Sequence, residues 1–204
     1  MMRKVLFAMV LMAVLPMTAQ AEDGPKQIVE KAVNGVVQVL KAREHPDKLT
    51  SEDREAIRKA VEGYFDFREM AKRSLGRPWR DLDEQQRSKF VAVFRELLER
   101  SYGNRLSEYH NQTIKYGHVL VRGARAAVDS EVIDADKKTP VRYYLHHADE
   151  GWFVYDIKIE GISLVSTFRT DFAGIVDKKG FNGLMGSLKE RVQNLRKQDQ
   201  NQKG

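Results

Sequence analysis

The sequence predicts an α+β domain: a curved antiparallel sheet of about four strands, packed against a helical N-terminal half and C-terminal helices. Three observations predict it. Apolar residues recur at helical spacing up to Tyr109. From Thr113 to Ile159 the period changes to two, with short polar links. From Ile162 the helical period returns. Helices gathered on one side of an antiparallel sheet define the α+β class, and such a sheet can enclose a deep cone rather than a solid core.

The first 21 residues have the three parts of an export signal. Arg3 and Lys4 make a positive start, residues 5–15 an uncharged apolar core, and Ala19-Gln20-Ala21 a small-x-small cleavage site. Cleavage is expected between Ala21 and Glu22. The core is too short for a stable membrane span, and no Cys follows it for lipid attachment. A single domain without a covalent lipid anchor, residues 22–204, is therefore expected, with a frayed tail over 197–204.

The helices follow in order. The first is expected over 25–43: Pro25 suits a first turn, and Val29, Val33, Val36, Val37 and Leu40 share a face. The second starts at Thr50 or Ser51, both good N-caps, and runs to Glu62. A third covers 66–75 and stops at Gly76. The fourth is the longest of the first half. Asp83 and Gln86 form a capping-box pair, and Phe90, Phe94, Leu97, Leu98, Tyr102, Leu106 and Tyr109 repeat along about five turns.

Four strands are then expected around Val119 and Val121, around Ala126 to Val132, around Val141, Tyr143 and Leu145, and around Phe153, Tyr155, Ile157 and Ile159. Strict alternation places Tyr155 and Ile157 on one face and Asp156 and Lys158 on the other. After them Ile162, Val165, Phe168, Phe172 and Ile175 make one helical stripe, and Leu184, Leu188, Val192 and Leu195 another after Gly180.

Composition bounds the function. The signal carries two basic and no acidic residues, so the mature net charge falls from +6 to +4 over 183 residues. That charge favours acidic partners or anionic headgroups and is too weak to argue nucleic acid. The chain has no cysteine, so an oxidising compartment adds no disulfide. No Gly-x-Ser-x-Gly elbow and no phosphate-cradling glycine loop occurs. His45, His110 and His118 have no metal-ligand spacing. His146 and His147 are adjacent in a strand and face opposite sides. Asp156 is the best candidate general base, for an isomerase-type enzyme; alternation instead favours a solvated Asp156, or one paired with Arg142 or Lys158. Arg68, Lys72, Arg73, Arg77 and Arg80 gather around Trp79, a patch that could meet nucleic acid or an anionic membrane; a solvated face is the favoured reading, and a docking face for an acidic partner is intermediate. That last reading describes a scaffold without any ligand.

The run over residues 152–165, Trp-Phe-Val-Tyr-Asp-Ile-Lys-Ile-Glu-Gly-Ile-Ser-Leu-Val, is apolar on both strand faces at its start. It resembles the signature of the MlaC family, the toluene-tolerance auxiliary proteins. The likeness continues through Phe168-Arg169, Phe172, Ile175 and residues 179–184. Upstream it includes Phe65-Asp66-Phe67, Met70-Ala71 and the helix from Phe90 to Tyr102, so it spans the mature chain. The resemblance implies a cone related to nuclear transport factor 2 with an apolar cavity, and a periplasmic phospholipid carrier, not an enzyme, with lipid as cargo and no cofactor or metal. It further implies two partners, an inner-membrane ABC transporter bearing an MCE-domain protein and an outer-membrane lipoprotein–porin complex, and a role in outer-membrane lipid asymmetry. Two acyl chains hold roughly two dozen methylenes or more, so exposing them costs roughly 20 kcal/mol. A pocket repaying that would reach about 1,000 Å³ or more. Apolar faces and the matching block together nominate its lining: Leu97, Tyr102 and Leu106; Tyr143, Tyr155 and Ile157; Ile162, Val165, Phe168, Phe172 and Leu184. Arg142 or Lys158 would meet the headgroup.

Overall fold

The computed structural model describes residues 22–201. The export signal and its cleavage site lie outside them. The described chain holds α1 (Pro25–Ala42), α2 (Ser51–Val61), α3 (Phe67–Leu75), a 3-10 turn (Arg77–Asp81) and α4 (Glu84–Ser107). Strands β1 (Thr113–Arg122), β2 (Arg125–Asp134), β3 (Lys137–Ala148), β4 (Gly151–Ile159) and β5 (Ile162–Ser163) follow, and then α5 (Leu164–Asn201). The sheet is open and antiparallel, with its strands in chain order. It has five strands where four were expected. The turn at Glu160-Gly161, both with positive φ, folds Ile162 and Ser163 back onto β4 before α5 begins. Ile162 therefore starts no helical stripe.

Helix starts lie where the capping signals placed them. Thr50 and Asp53 exchange reciprocal hydrogen bonds at the start of α2, as do Asp83 and Gln86 at the start of α4. Asp66 caps α3 through the Glu69 N–H. The two C-terminal stripes belong to one helical run broken at Gly180, whose φ of 64° and ψ of −176° only glycine adopts without strain.

Two packed layers result. Under α1, Ile28 and Val29 meet Val128, Tyr143, Leu145 and Val154 on the inner face of the sheet. Beyond β4, α3, α4 and α5 bury Phe90, Phe94, Leu97, Phe168, Phe172 and Leu184 together. Phe94 meets Phe168 edge-on at 5.3 Å between centroids, and Phe90 meets Phe172 at 5.9 Å. Each such side chain contributes about 1.5–3 kcal/mol by leaving water, so this cluster anchors the helical half.

A bulge in β4 corrects the expected alternation. Tyr143 pairs with Ile157 and Tyr144 with Asp156, but Leu145 pairs with Val154, leaving Tyr155 as the extra residue. Val154 thus joins Ile157 on the inner face, and Tyr155 turns to the helical bundle. The short β5 leaves the rest of that edge of β4 free. The chain between α2 and α3 takes it: the Val154 N–H donates to the Tyr64 carbonyl at 2.9 Å, and the Asp66 N–H donates to the Val154 carbonyl at 2.9 Å. This holds Phe65 and Phe67, stacked at 5.8 Å, where the two layers meet.

Candidate functional site

An apolar pocket of about 160 Å³ lies at that junction. Its floor is Ile157 of β4 and Leu164 of α5, with Phe65, Phe67 and Met70 on one side and Leu98, Tyr102 and Leu106 of α4 on the other. Leu49, Ile57 and Val61 cover it from α2 and the loop before it, and Arg54 and Glu99 stand at its edge. Burial pushes the Tyr102 phenol above its ordinary value, so its hydroxyl stays neutral at any physiological pH.

The cover is held differently from the walls. No side chain of α2 is fully buried. Gly35 of α1 lets α2 approach closely: a β-carbon there would lie 3.3 Å from the Ala60 Cβ. Across the pocket, α2 is pinned by charge. Arg58 donates to Glu99 of α4 through Nη2 at 2.7 Å and Nε at 3.0 Å. Arg54 donates to Asp199 of α5 at 2.9 Å, and Asp199 also accepts from Arg100. Burial lowers the Arg54 guanidinium while the Asp199 carboxylate opposes that shift.

Of the nominated lining, Tyr102, Leu106 and Ile157 reach this pocket. Leu97, Val165, Phe168, Phe172 and Leu184 instead fill the bundle core, because they face inward between α4 and α5 where no space is left. Tyr143 packs under α1. Tyr155 lies beneath the Arg73 guanidinium, 4.2 Å from its ring centroid. Ile162 is 65% exposed in β5. Sequence reasoning missed Leu49, Ile57, Val61, Phe65, Phe67, Met70, Leu98 and Leu164. The signal for two of them was present: Ile57 and Val61 form an i, i+4 apolar pair on an otherwise charged helix.

The polar candidates also moved. Arg142 sits on the outer face of the sheet, where Asp129 accepts from its Nε at 2.5 Å and its Nη2 at 2.9 Å. Lys158 lies on the side of β4 away from the pocket, lining a separate cleft. Asp156 is neither solvated nor paired with Arg142 or Lys158. It is 9% exposed, accepting the Ser163 hydroxyl at 2.6 Å and the Val165 N–H at 3.1 Å. The bulge and β5 together bring it to the first turn of α5, where a carboxylate satisfies free helix N–H groups. His146 meets Asp66 at 3.0 Å and His147 meets Glu22 at 2.8 Å, on opposite sides of the sheet. Among the described residues no group of three or more His, Cys, Asp or Glu could hold a metal ion. Trp79 is buried between Arg68 and Arg87 rather than displayed by the basic cluster.

A two-layer α+β domain with an apolar pocket and a charged cover is the class these features define. The sequence profile of the family described as MlaC protein matches residues 30–190. The chain belongs to the MlaC family. It is 25% identical over 184 residues to the intermembrane phospholipid transport system binding protein MlaC of Haemophilus influenzae, covering 85% of this chain and 84% of that one. It is 26% identical to toluene tolerance protein ttg2D of Pseudomonas putida over 176 residues, 84% of this chain and 82% of the relative. The phospholipid-binding protein of Ralstonia solanacearum, solved in complex with a phospholipid, superposes with a TM-score of 0.79 at 26% identity, covering 84% of this chain and 98% of that one. Among the described residues no helix is long and apolar enough to cross a membrane.

Proposed function

We propose that this protein is a soluble periplasmic phospholipid carrier, released by cleavage between Ala21 and Glu22. It shuttles lipid between an inner-membrane MCE-domain ABC transporter complex and an outer-membrane lipoprotein–porin complex, maintaining outer-membrane lipid asymmetry. The observation that carries the reading is the carbon-lined pocket between α2, α4 and β4 in a chain whose relatives bear phospholipid-binding names.

The pocket's size sets the mechanism. About 150 Å³ admits a benzene ring, so the pocket at this size holds about six carbons, or about 5 kcal/mol of the roughly 20 kcal/mol that two acyl chains require. The remainder needs a larger cavity. Walls of α4, β4 and α5 are locked into the two cores, whereas α2 is joined across the pocket by side-chain charge. Outward movement of α2 is the change that turns the pocket into a deep cup, a cone of the kind the sequence suggested. Closure of α2 over loaded chains then keeps them from water until a docked partner loosens it. Asp156 gives an isomerase reading no support, because both its oxygens are committed to Ser163 and Val165.

Native mass spectrometry of the purified mature protein tests the proposal. A bound species of phospholipid mass, removed by organic extraction and regained from vesicles, is expected. A clean apo mass with no uptake from vesicles carrying the partner complex overturns it.

A further inference from the structure

A second cleft, of about 340 Å³, opens on the opposite side of β4 from the apolar pocket. Asp156 and Lys158 line it while Ile157 between them lines the pocket, and the two share no lining residue. Its charge is mainly positive. Lys158 of β4 and Arg169 of α5 have no carboxylate within ion-pair distance among the described residues, and Arg73 of α3 closes the third side. Arg73 gives Nη2 to Glu69 at 2.8 Å and lays its plane over Tyr155, yet its Nε–H is buried without an acceptor. An orphaned donor of this kind is costly unless water or an ion completes it. Asp156, the one carboxylate in the cleft, spends its oxygens on Val165 and Ser163. Ser166 adds a hydroxyl at the rim.

The Arg169 fork, the Lys158 point charge, the unpartnered Arg73 Nε–H and the Ser166 hydroxyl line one cleft and suit a tetrahedral oxyanion, which offers more acceptor positions than a planar carboxylate. We propose that this cleft is a phosphate-binding site, separate from the acyl-chain pocket. A lipid whose chains lie in the pocket has β4 between it and these cations, so the phosphate arrives from outside, either as the free ion or on a headgroup at a membrane surface.

The test is an amide NMR titration of the purified protein with inorganic phosphate at constant ionic strength. A parallel arm measures co-sedimentation with phosphatidylcholine vesicles, with and without phosphatidylglycerol. Saturable shifts are expected at Ser163, Ser166 and Arg169. Apparent affinity should fall at least about tenfold in Lys158→Gln and in Arg169→Gln, since each removes a charge-assisted contact. If only phosphatidylglycerol vesicles respond, and both variants lose that response, the site stands and its phosphate is a lipid headgroup. No response in either arm, responses unchanged in both variants, or capture of a glutamate-rich peptide in preference to both probes, overturns the proposal. Both variants should keep the wild-type melting temperature and co-purified lipid mass. That separates failure of this site from failure of the carrier reading.

Discussion

Releasing α2 by removing its charged pins should open the pocket without unfolding the domain. Arg58→Met keeps the aliphatic stem over the helix and deletes the bonds to Glu99. With Arg58 more than a third exposed, the pair is worth about 1 kcal/mol, or about fivefold in the opening equilibrium. Arg54→Met removes a better shielded contact, since Arg54 and Asp199 are 14% and 13% exposed. A charge-assisted bond of that kind contributes about 1.5–3 kcal/mol, roughly ten- to hundredfold. The two lie one turn apart on α2 and Arg54 also interacts with Glu99, so the double variant should open further than either single variant, by a factor that departs from their simple product. Hydrogen exchange read by mass spectrometry measures this directly. Peptides from α2 should speed up by those factors, while peptides from Phe90 to Leu97 in α4 keep their protection. Lipid uptake from vesicles should accelerate in the same order. If α2 and α4 exchange rise together, α2 opens only with the whole domain and is no lid. If α2 opens and uptake does not change, the entrance lies elsewhere.

Asp156→Asn weakens the cap of α5, and about 1–2 kcal/mol of stability should be lost with bound lipid retained; chemical denaturation and native mass spectrometry check the two halves. Gly180→Ala forces a β-carbon into a backbone region that only glycine tolerates, although the space around it is open, so about 1–3 kcal/mol of strain should appear as a lower denaturation midpoint. Glu96 accepts hydrogen bonds from Arg196 and Arg100, which hold its carboxyl below the usual glutamate range. Its contribution is therefore present at neutral pH and lost as pH falls through that depressed value. The melting-temperature gap between wild type and Glu96→Gln should be widest near pH 7 and close in acid. A gap independent of pH would refute the assignment.

How much was legible depended on range. Caps and apolar periods are local properties, so Thr50, Asp83 and the stripe from Phe90 located α2 and α4 to within a residue or two. The family resemblance carried by residues 152–165 likewise depended only on order along the chain, and the match over residues 30–190 bears it out. Periodicity, however, says that a side chain leaves water, not whether it meets another side chain or empty space. Phe168, Phe172 and Leu184 have the same apolar signature as Leu106, and only the packing of α5 against α4 made the first three core and the last a pocket wall.

The sequence by itself determined the class, the order of helices and strands and the family, because each is written in neighbouring residues. The tertiary structure alone decided the rest. One extra residue at Tyr155 exchanged the faces of Val154 and Tyr155, and a two-residue fifth strand brought Asp156 to a helix start. Charges more than a hundred positions apart, Arg54 and Asp199, became the pin of a helix that no local pattern marks as a cover. The physical reason is the same in each case: register, bulges and long-range ion pairs depend on which surfaces meet, and that is settled only when the chain has folded.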